Sequence, residues 1–190
     1  MDIIDGYLGN HRLKKIGVDL SYTQEQVSEI VKCTEDPIYF IKTYVKIVNV
    51  DHGLVPFDMW PFQEDMVKSF HENRFSIAKM PRQVGKTTSA VGYMLWCVLF
   101  NSDYTVGILA NKGSLAREIL DRLTKAYEYL PIWLQQGIVV WNKGNIELEN
   151  GSKIFAYATS ADGVRGGSYN LIFLDEFAFV HHNMAHDFFQ

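Results

Sequence analysis

A chain of 190 residues with 47% hydrophobic and 14% aromatic side chains carries enough apolar surface for one sizeable core, which excludes a compositionally disordered protein. Its formal net charge of −4 argues against a surface built throughout to neutralise phosphates, while leaving room for a local basic groove. Cys33 and Cys97 are the only cysteines and show no C-x-x-C spacing, so neither a disulfide framework nor a zinc site is suggested and a reducing compartment fits. No signal peptide opens the chain. The longest nearly apolar run, Ala90 to Phe100, is too short to span a bilayer and contains Gly92, so a soluble protein with no membrane partner is expected.

In chain order, the basic stretch HRLKK near the N-terminus reads as a solvated arm. TQEQVSEIVKC offers Thr23 as a helix cap with Gln26 three residues on, the pattern of a capping box. EDPIYFIKTYVKIV follows with Asp36 as cap and Pro37 at the first helical position, and WPFQEDMVKSFHEN announces a third helix. Residues 1–56 are therefore expected to be a helical segment, with IVNVDHGLVPFD an exposed connection into the unit 57–190.

From Arg74 the texture changes. RFSIAK reads as a strand, SAVGYMLWCVLF as an apolar helix, TVGILAN as a strand and SLAREILDRLTKAYEYL as an amphipathic helix. That order is βαβα and predicts an α/β fold with a mainly parallel sheet flanked by helices. Leu115, Ile119, Leu123 and Tyr127 recur every four residues and form the inward stripe of the second helix, which Pro131 ends. GIVVWN, NIELE and KIFAYA, joined by Lys-Gly and Asn-Gly turns, read as a small antiparallel meander. NLIFLDE is a buried strand ending in two carboxylates.

Chemistry concentrates at two strand ends. In KMPRQVGKTT, Gly85, Lys86 and Thr87 have the types and the strand-to-helix context of a phosphate loop. Backbone N–H groups and a helix N-terminus face the phosphates, Lys reaches the β/γ oxygens, and the hydroxyl ligates Mg²⁺. Met80 stands where the usual pattern has its first glycine. At the second strand end, Asp175 has the position of the Mg²⁺ carboxylate and Glu176 that of the water-activating base. His182 and His186, four residues apart, lack a carboxylate or cysteine partner with ligand spacing and read as surface histidines. Lys112 in ANKGS occupies the place where related helicase-like motors touch DNA.

PRQVGKTT, with Arg82 added and the first glycine replaced, resembles the deviant Walker A of viral DNA-packaging ATPases. VGILANKGSLAREILDRLTKAYEYLP, GIVVWNKGNIELENGSKIFAYATSADGVRGGS and LIFLDEFAFV are similar in sequence and spacing to the large terminase subunit of T4-like tailed bacteriophages. The resemblance covers most of residues 57–190 and implies a P-loop NTPase of the ASCE type, with ATP and Mg²⁺ as its ligands. It implies nucleotide binding by Pro81, Arg82, Gln83, Val84, Gly85, Lys86, Thr87 and Thr88, with Mg²⁺ on Thr87 and Asp175. Catalysis falls to Glu176, Lys86, Arg82 and Arg165, the last as a finger reaching a neighbouring subunit. Arginine suits both phosphate-directed roles because its guanidinium stays charged and donates a planar fork of hydrogen bonds. Gln63 matches the glutamine that reads the adenine edge, with Trp60 either packing on the base or forming part of the core.

The same resemblance implies double-stranded DNA, a portal ring and a small terminase subunit as partners, a homo-oligomeric ring, and the host cytoplasm with transient residence at the procapsid portal. In the ASCE arrangement the strand after the acids inserts between the phosphate-loop strand and the acidic strand, so the chain is expected to be C-terminally incomplete and without its nuclease domain. Another ASCE nucleic-acid motor such as a helicase, or a non-catalytic nucleotide-binding fragment, is the alternative.

Overall fold

The computed structural model of the protein describes residues 6–49, 51–158 and 167–177. Two short strands come first, β1 (Gly6–Tyr7) and β2 (Asn10–Lys14), paired antiparallel. Helices α1 (Gln24–Glu35) and α2 (Pro37–Tyr44) follow. Both helix starts are local devices. The Thr23 hydroxyl accepts from the Gln26 N–H at 3.2 Å while the Gln26 side chain accepts from the Thr23 N–H at 3.0 Å. The Asp36 carboxylate accepts from the N–H groups of Ile38 and Tyr39 at 2.7 and 3.1 Å.

Two features of this part differ from the sequence expectation. The stretch expected to be an exposed connection is a hairpin of β3 (Lys46–Asn49) and β4 (Gly53–Pro56). Its turn is held because the Asn49 side chain accepts from the N–H groups of Asp51 and His52, and Gly53 supplies a left-handed φ of 68°. The basic stretch is strand β2 rather than a solvated arm, with Leu13 buried and the Arg12 guanidinium 5.5 Å from the centre of the Tyr129 ring.

Gln135 anchors this strand. Its buried amide donates to the carbonyls of Arg12 and Leu130 at 2.8 and 3.0 Å, the first bond part-buried, and accepts from the Lys14 N–H at 3.0 Å. Gln135→Leu strands those backbone groups. We expect it to cost about 2–4 kcal/mol, at a loss of about 1–3 for a buried group left unpaired. The check is the urea midpoint, which should fall with the m-value unchanged.

Then come α3 (Pro61–Glu72), α4 (Lys86–Phe100), β5 (Thr105–Ala110), α5 (Gly113–Glu128), a 3-10 turn (Ile132–Leu134), β6 (Ile138–Trp141), β7 (Asn145–Leu148), β8 (Lys153–Ala158) and β9 (Leu171–Asp175). Helix α4 is buried on all sides from Ser89 to Leu99, as its unbroken apolar run requires. Gly92 lets α2 approach it, since a Cβ there would lie 3.0 Å from the Ile41 side chain. The Trp96 indole N–H donates to the Cys33 carbonyl at 2.7 Å and ties α4 to α1. Cys33 and Cys97 are separate buried thiols, each pushed up to about 12 by burial. On α5 the buried stripe contains Ile119, Leu123 and Tyr127, with Leu115 only partly covered. The water-facing side carries the pairs Glu118–Arg122 and Asp121–Lys125.

The sheet order is β6-β7-β8-β5-β9. β8, β5 and β9 run parallel, while β6, β7 and β8 form the antiparallel meander. The meander is thus continuous with the main sheet through β8, and the five strands are mixed. No helix among the described residues is long and apolar enough to cross a membrane.

The strand expected at residues 74–79 does not form. That segment pairs with no strand, Phe75 is 83% exposed and Ile77 is 100% exposed. β9, ending in the acidic pair, is an edge strand with β5 on one side only. Phe and Ile favour strands only where a pleated neighbour covers them. Among the described residues none lies beside 74–79.

Candidate nucleotide site at the α4 N-terminus

The loop before α4 turns sharply because Gln83 and Gly85 both adopt left-handed backbone, at φ 62° and 74°. Glycine is required at 85 for a second reason, since a Cβ there would lie 2.5 Å from the Gln63 side-chain nitrogen. Gln63 is buried, accepts from the Trp60 N–H and donates to the Val84 carbonyl, both at 2.8 Å. It therefore braces the loop against the start of α3. The Gly85 carbonyl closes the first turn of α4 by accepting from the Ser89 N–H and hydroxyl at 3.0 and 3.2 Å. The N–H groups of Lys86, Thr87 and Thr88 have no acceptor within the helix, and they stand at its positive dipole end. This is the backbone arrangement that receives phosphate.

Asp175 and Glu176 close β9 on the other side. Asp175 is partly buried and its carboxyl is raised above the usual carboxylate range. Burial is the main cause and the like charge of Glu176 the next, with the Lys86 ammonium and the Glu176 backbone N–H pulling the other way. The fold has therefore brought Lys86 and Asp175 within electrostatic reach of one another. Glu176 holds a left-handed φ of 50°, which costs a non-glycine residue about 1 kcal/mol or more and is typical of functional sites. The Asp175 carboxylate and the Thr87 hydroxyl are the oxygen donors here that could hold a hard cation such as Mg²⁺.

Of the other residues singled out from sequence, Pro81, Arg82 and Gln83 are exposed, and Val84, Lys86, Thr87 and Thr88 are partly buried along the loop and first turn. Trp60 is 67% exposed, so core packing does not explain it. Lys112 is exposed at the N-cap of α5. Arg165, His182 and His186 lie outside the described residues.

Two side chains went unremarked in the sequence. Arg122 on α5, paired with Glu118 at 2.8 Å, also adds positive potential at Asp175. Asn111 follows the last residue of β5, and its Oδ1 is buried without a hydrogen-bond partner, a state that costs about 1–3 kcal/mol. Nothing in ANKGS distinguished it from its neighbour Lys112.

The helices and mixed sheet together define an α/β fold shared with a phage large terminase. The chain is similar to the large terminase of bacteriophage HK97, whose crystal structure it matches with a TM-score of 0.63 at 21% identity. The match covers 78% of this chain and 32% of that one, so this chain spans about a third of its length. The family described as terminase large subunit, T4likevirus-type, N-terminal, matches residues 77–186. The chain belongs to that family.

Proposed function

We propose that this chain is the ATP-hydrolysing part of a phage large terminase, of the P-loop ASCE class. In this reading ATP hydrolysis drives double-stranded DNA into a procapsid. The observation that carries the reading is that the fold brings Lys86, at the start of α4, within electrostatic reach of Asp175, the last residue of β9, two elements far apart in sequence. Family membership and the fold support the packaging role.

The chemistry follows from the chain's own groups. The N–H groups of the loop and first turn bind the phosphates, and the Lys86 ammonium neutralises the β/γ oxygens. Arg82, exposed on the same loop, extends its fork toward the γ-phosphate. Glu176 accepts the proton of the attacking water. Thr87 and Asp175 would hold Mg²⁺, which when bound supplies positive charge to the phosphate oxygens. Trp60 offers an exposed face to the base. The second N–H and the second lone pair of the Gln63 side-chain amide are left for the adenine edge, since one N–H and one lone pair brace the loop. Arg165 acts on the site of the next subunit in a homo-oligomeric ring, which engages a portal and a small terminase subunit in the host cytoplasm. The exposure of Phe75 and Ile77 supports the arrangement in which a further strand completes the sheet between residues 74–79 and β9.

The test is calorimetric titration of the chain with ATP. Binding should require Mg²⁺, compete with ADP and vanish on chelation. Binding that is indifferent to Mg²⁺ would overturn the assignment of Thr87 and Asp175.

A further inference from the structure

We infer that the cavity between the β3–β4 hairpin and helices α4 and α5 is a docking site for a protein partner, and that it receives an acidic segment carrying an apolar anchor. The inference goes beyond the ATP-hydrolysing reading and does not depend on it.

The cavity has a volume of about 310 Å³, room for a few side chains and small for an organic ligand site. Its lining is divided. Val45, Val91 and Ala126 line it and are buried, so its depth is apolar. Lys46, Arg122 and Lys125 line it and are exposed, which puts three cations at its mouth. No carboxylate of the described residues lines it. Arg122 and Lys125 pair with Glu118 and Asp121, one turn back along α5, at 2.8 and 2.7 Å. Such exposed pairs are weak and exchange readily, and the guanidinium keeps donors beyond the one that Glu118 occupies. Lys46 is in no ion pair among the described residues.

The apolar surface continues past the mouth. In the hairpin register Val48 stands opposite Leu54 and Lys46 opposite Pro56, and residues two apart on a strand share a face of the ribbon. Val48 lines the cavity as well, and it is 68% exposed with Leu54 at 41%. A two-stranded ribbon is marginal by itself. An exposed apolar pair continuous with an apolar cavity marks a surface that gains by being covered.

This division selects the occupant. The phosphate backbone of a nucleic acid would satisfy the cations but has no apolar group to set against Val45, Val91 and Val48. A wholly apolar partner would strip water from three cations and return no counter-charge. An acidic stretch with one or two large apolar side chains meets both needs. Its anchor enters the cavity and covers the Val48–Leu54 pair, while its carboxylates meet Lys46, Arg122 and Lys125. Buried anchors supply most of the affinity of such contacts, and the charges select the partner.

The test is fluorescence anisotropy of short dye-labelled peptides rich in Asp and Glu with interspersed Leu and Phe, titrated with the 190-residue chain in the absence of nucleotide. Binding should saturate and weaken as salt is raised. Replacing Leu and Phe by Ser, or Asp and Glu by Lys, should weaken it about tenfold or more. Lys46→Glu and Val48→Ser, both at exposed positions, should each weaken the acidic peptides about tenfold or more and melt close to the wild type. Lys68→Glu, at an exposed position of α3, should bind them as the wild type does. The inference is overturned if none of the acidic peptides binds, or if the Ser peptides bind as well as those with Leu and Phe. It also fails if either cavity variant binds like the wild type, or if Lys68→Glu weakens binding equally. A single-stranded or duplex oligonucleotide that binds more tightly than the peptides, and loses that affinity in Lys46→Glu, would overturn it too and assign the cavity to nucleic acid.

Discussion

Lys86→Ala should reduce ATP turnover in the complete protein to below a tenth of wild type, a loss of more than about 1.4 kcal/mol of transition-state stabilisation. No other cation of the described loop stands at the first turn of α4, and the exposed Arg82 precedes the turn that aims it. The effect should extend to the metal. Lys86 pulls the raised Asp175 carboxyl downward, so without it Asp175 ionises less readily and Mg²⁺ dependence moves to higher pH. The two sites are therefore coupled, and a double-mutant cycle of Lys86→Ala with Asp175→Asn should be non-additive. Folding stability should not fall, because a cation at a helix N-terminus opposes the macrodipole, and its removal is worth a few tenths of a kcal/mol in favour of the fold. An unchanged melting temperature with lost turnover is the expected pair of results; turnover above a tenth would remove Lys86 from the phosphates.

The acids should separate cleanly. Glu176→Gln keeps the length and polarity of the side chain but cannot take a proton, so Mg-ATP binding should persist while hydrolysis falls by about 10² to 10⁴. Asp175→Asn should lose Mg²⁺-dependent binding itself. The pH dependence carries a further sign. Asp175 must be ionised to hold a cation, and burial together with the charge of Glu176 raises its carboxyl. Binding is then lost on acidification above the range of an ordinary carboxylate. Glu176→Gln removes the like charge, so the acid limb of Mg-ATP binding should move to lower pH. For stability the direction is the reverse. A carboxyl raised in the folded state contributes most below its unfolded pKa, and that contribution is lost as pH rises through the folded value. Asp175→Asn should therefore leave the protein as stable or more stable at neutral pH. If both variants lost nucleotide binding equally, the division of labour between the acids would be wrong.

Much of this architecture was legible from residue order, for a reason that differs by element. Thr23 with Gln26, and Asp36 before Pro37, act within one helical turn, so their geometry is complete in the local sequence. The stripe of α5 and the all-round apolar run of α4 are likewise periodic signals that the burial pattern reproduces. The Gly85-Lys86-Thr87 turn into α4 and the acidic end of β9 stood out as residue types, and the terminase family entered through the resemblance of the stretches around them to large terminase subunits.

What the tertiary structure decided are the features whose partners lie far along the chain. The strand character of HRLKK depends on Gln135, and residues 74–79, with a strand-like composition, stay unpaired because no described strand lies beside them. Gln63 looked like a ligand-reading residue, but the fold also makes it the brace that holds Val84 and excludes a side chain at Gly85. Asn111 could not be distinguished from Lys112 until the fold buried its Oδ1 without a donor. Helix caps and amphipathic stripes are written in neighbouring residues. Strand pairing, buried hydrogen-bond satisfaction and the electrostatic meeting of Lys86 with Asp175 exist only once distant segments share a sheet, and the candidate chemistry of this protein resides in those.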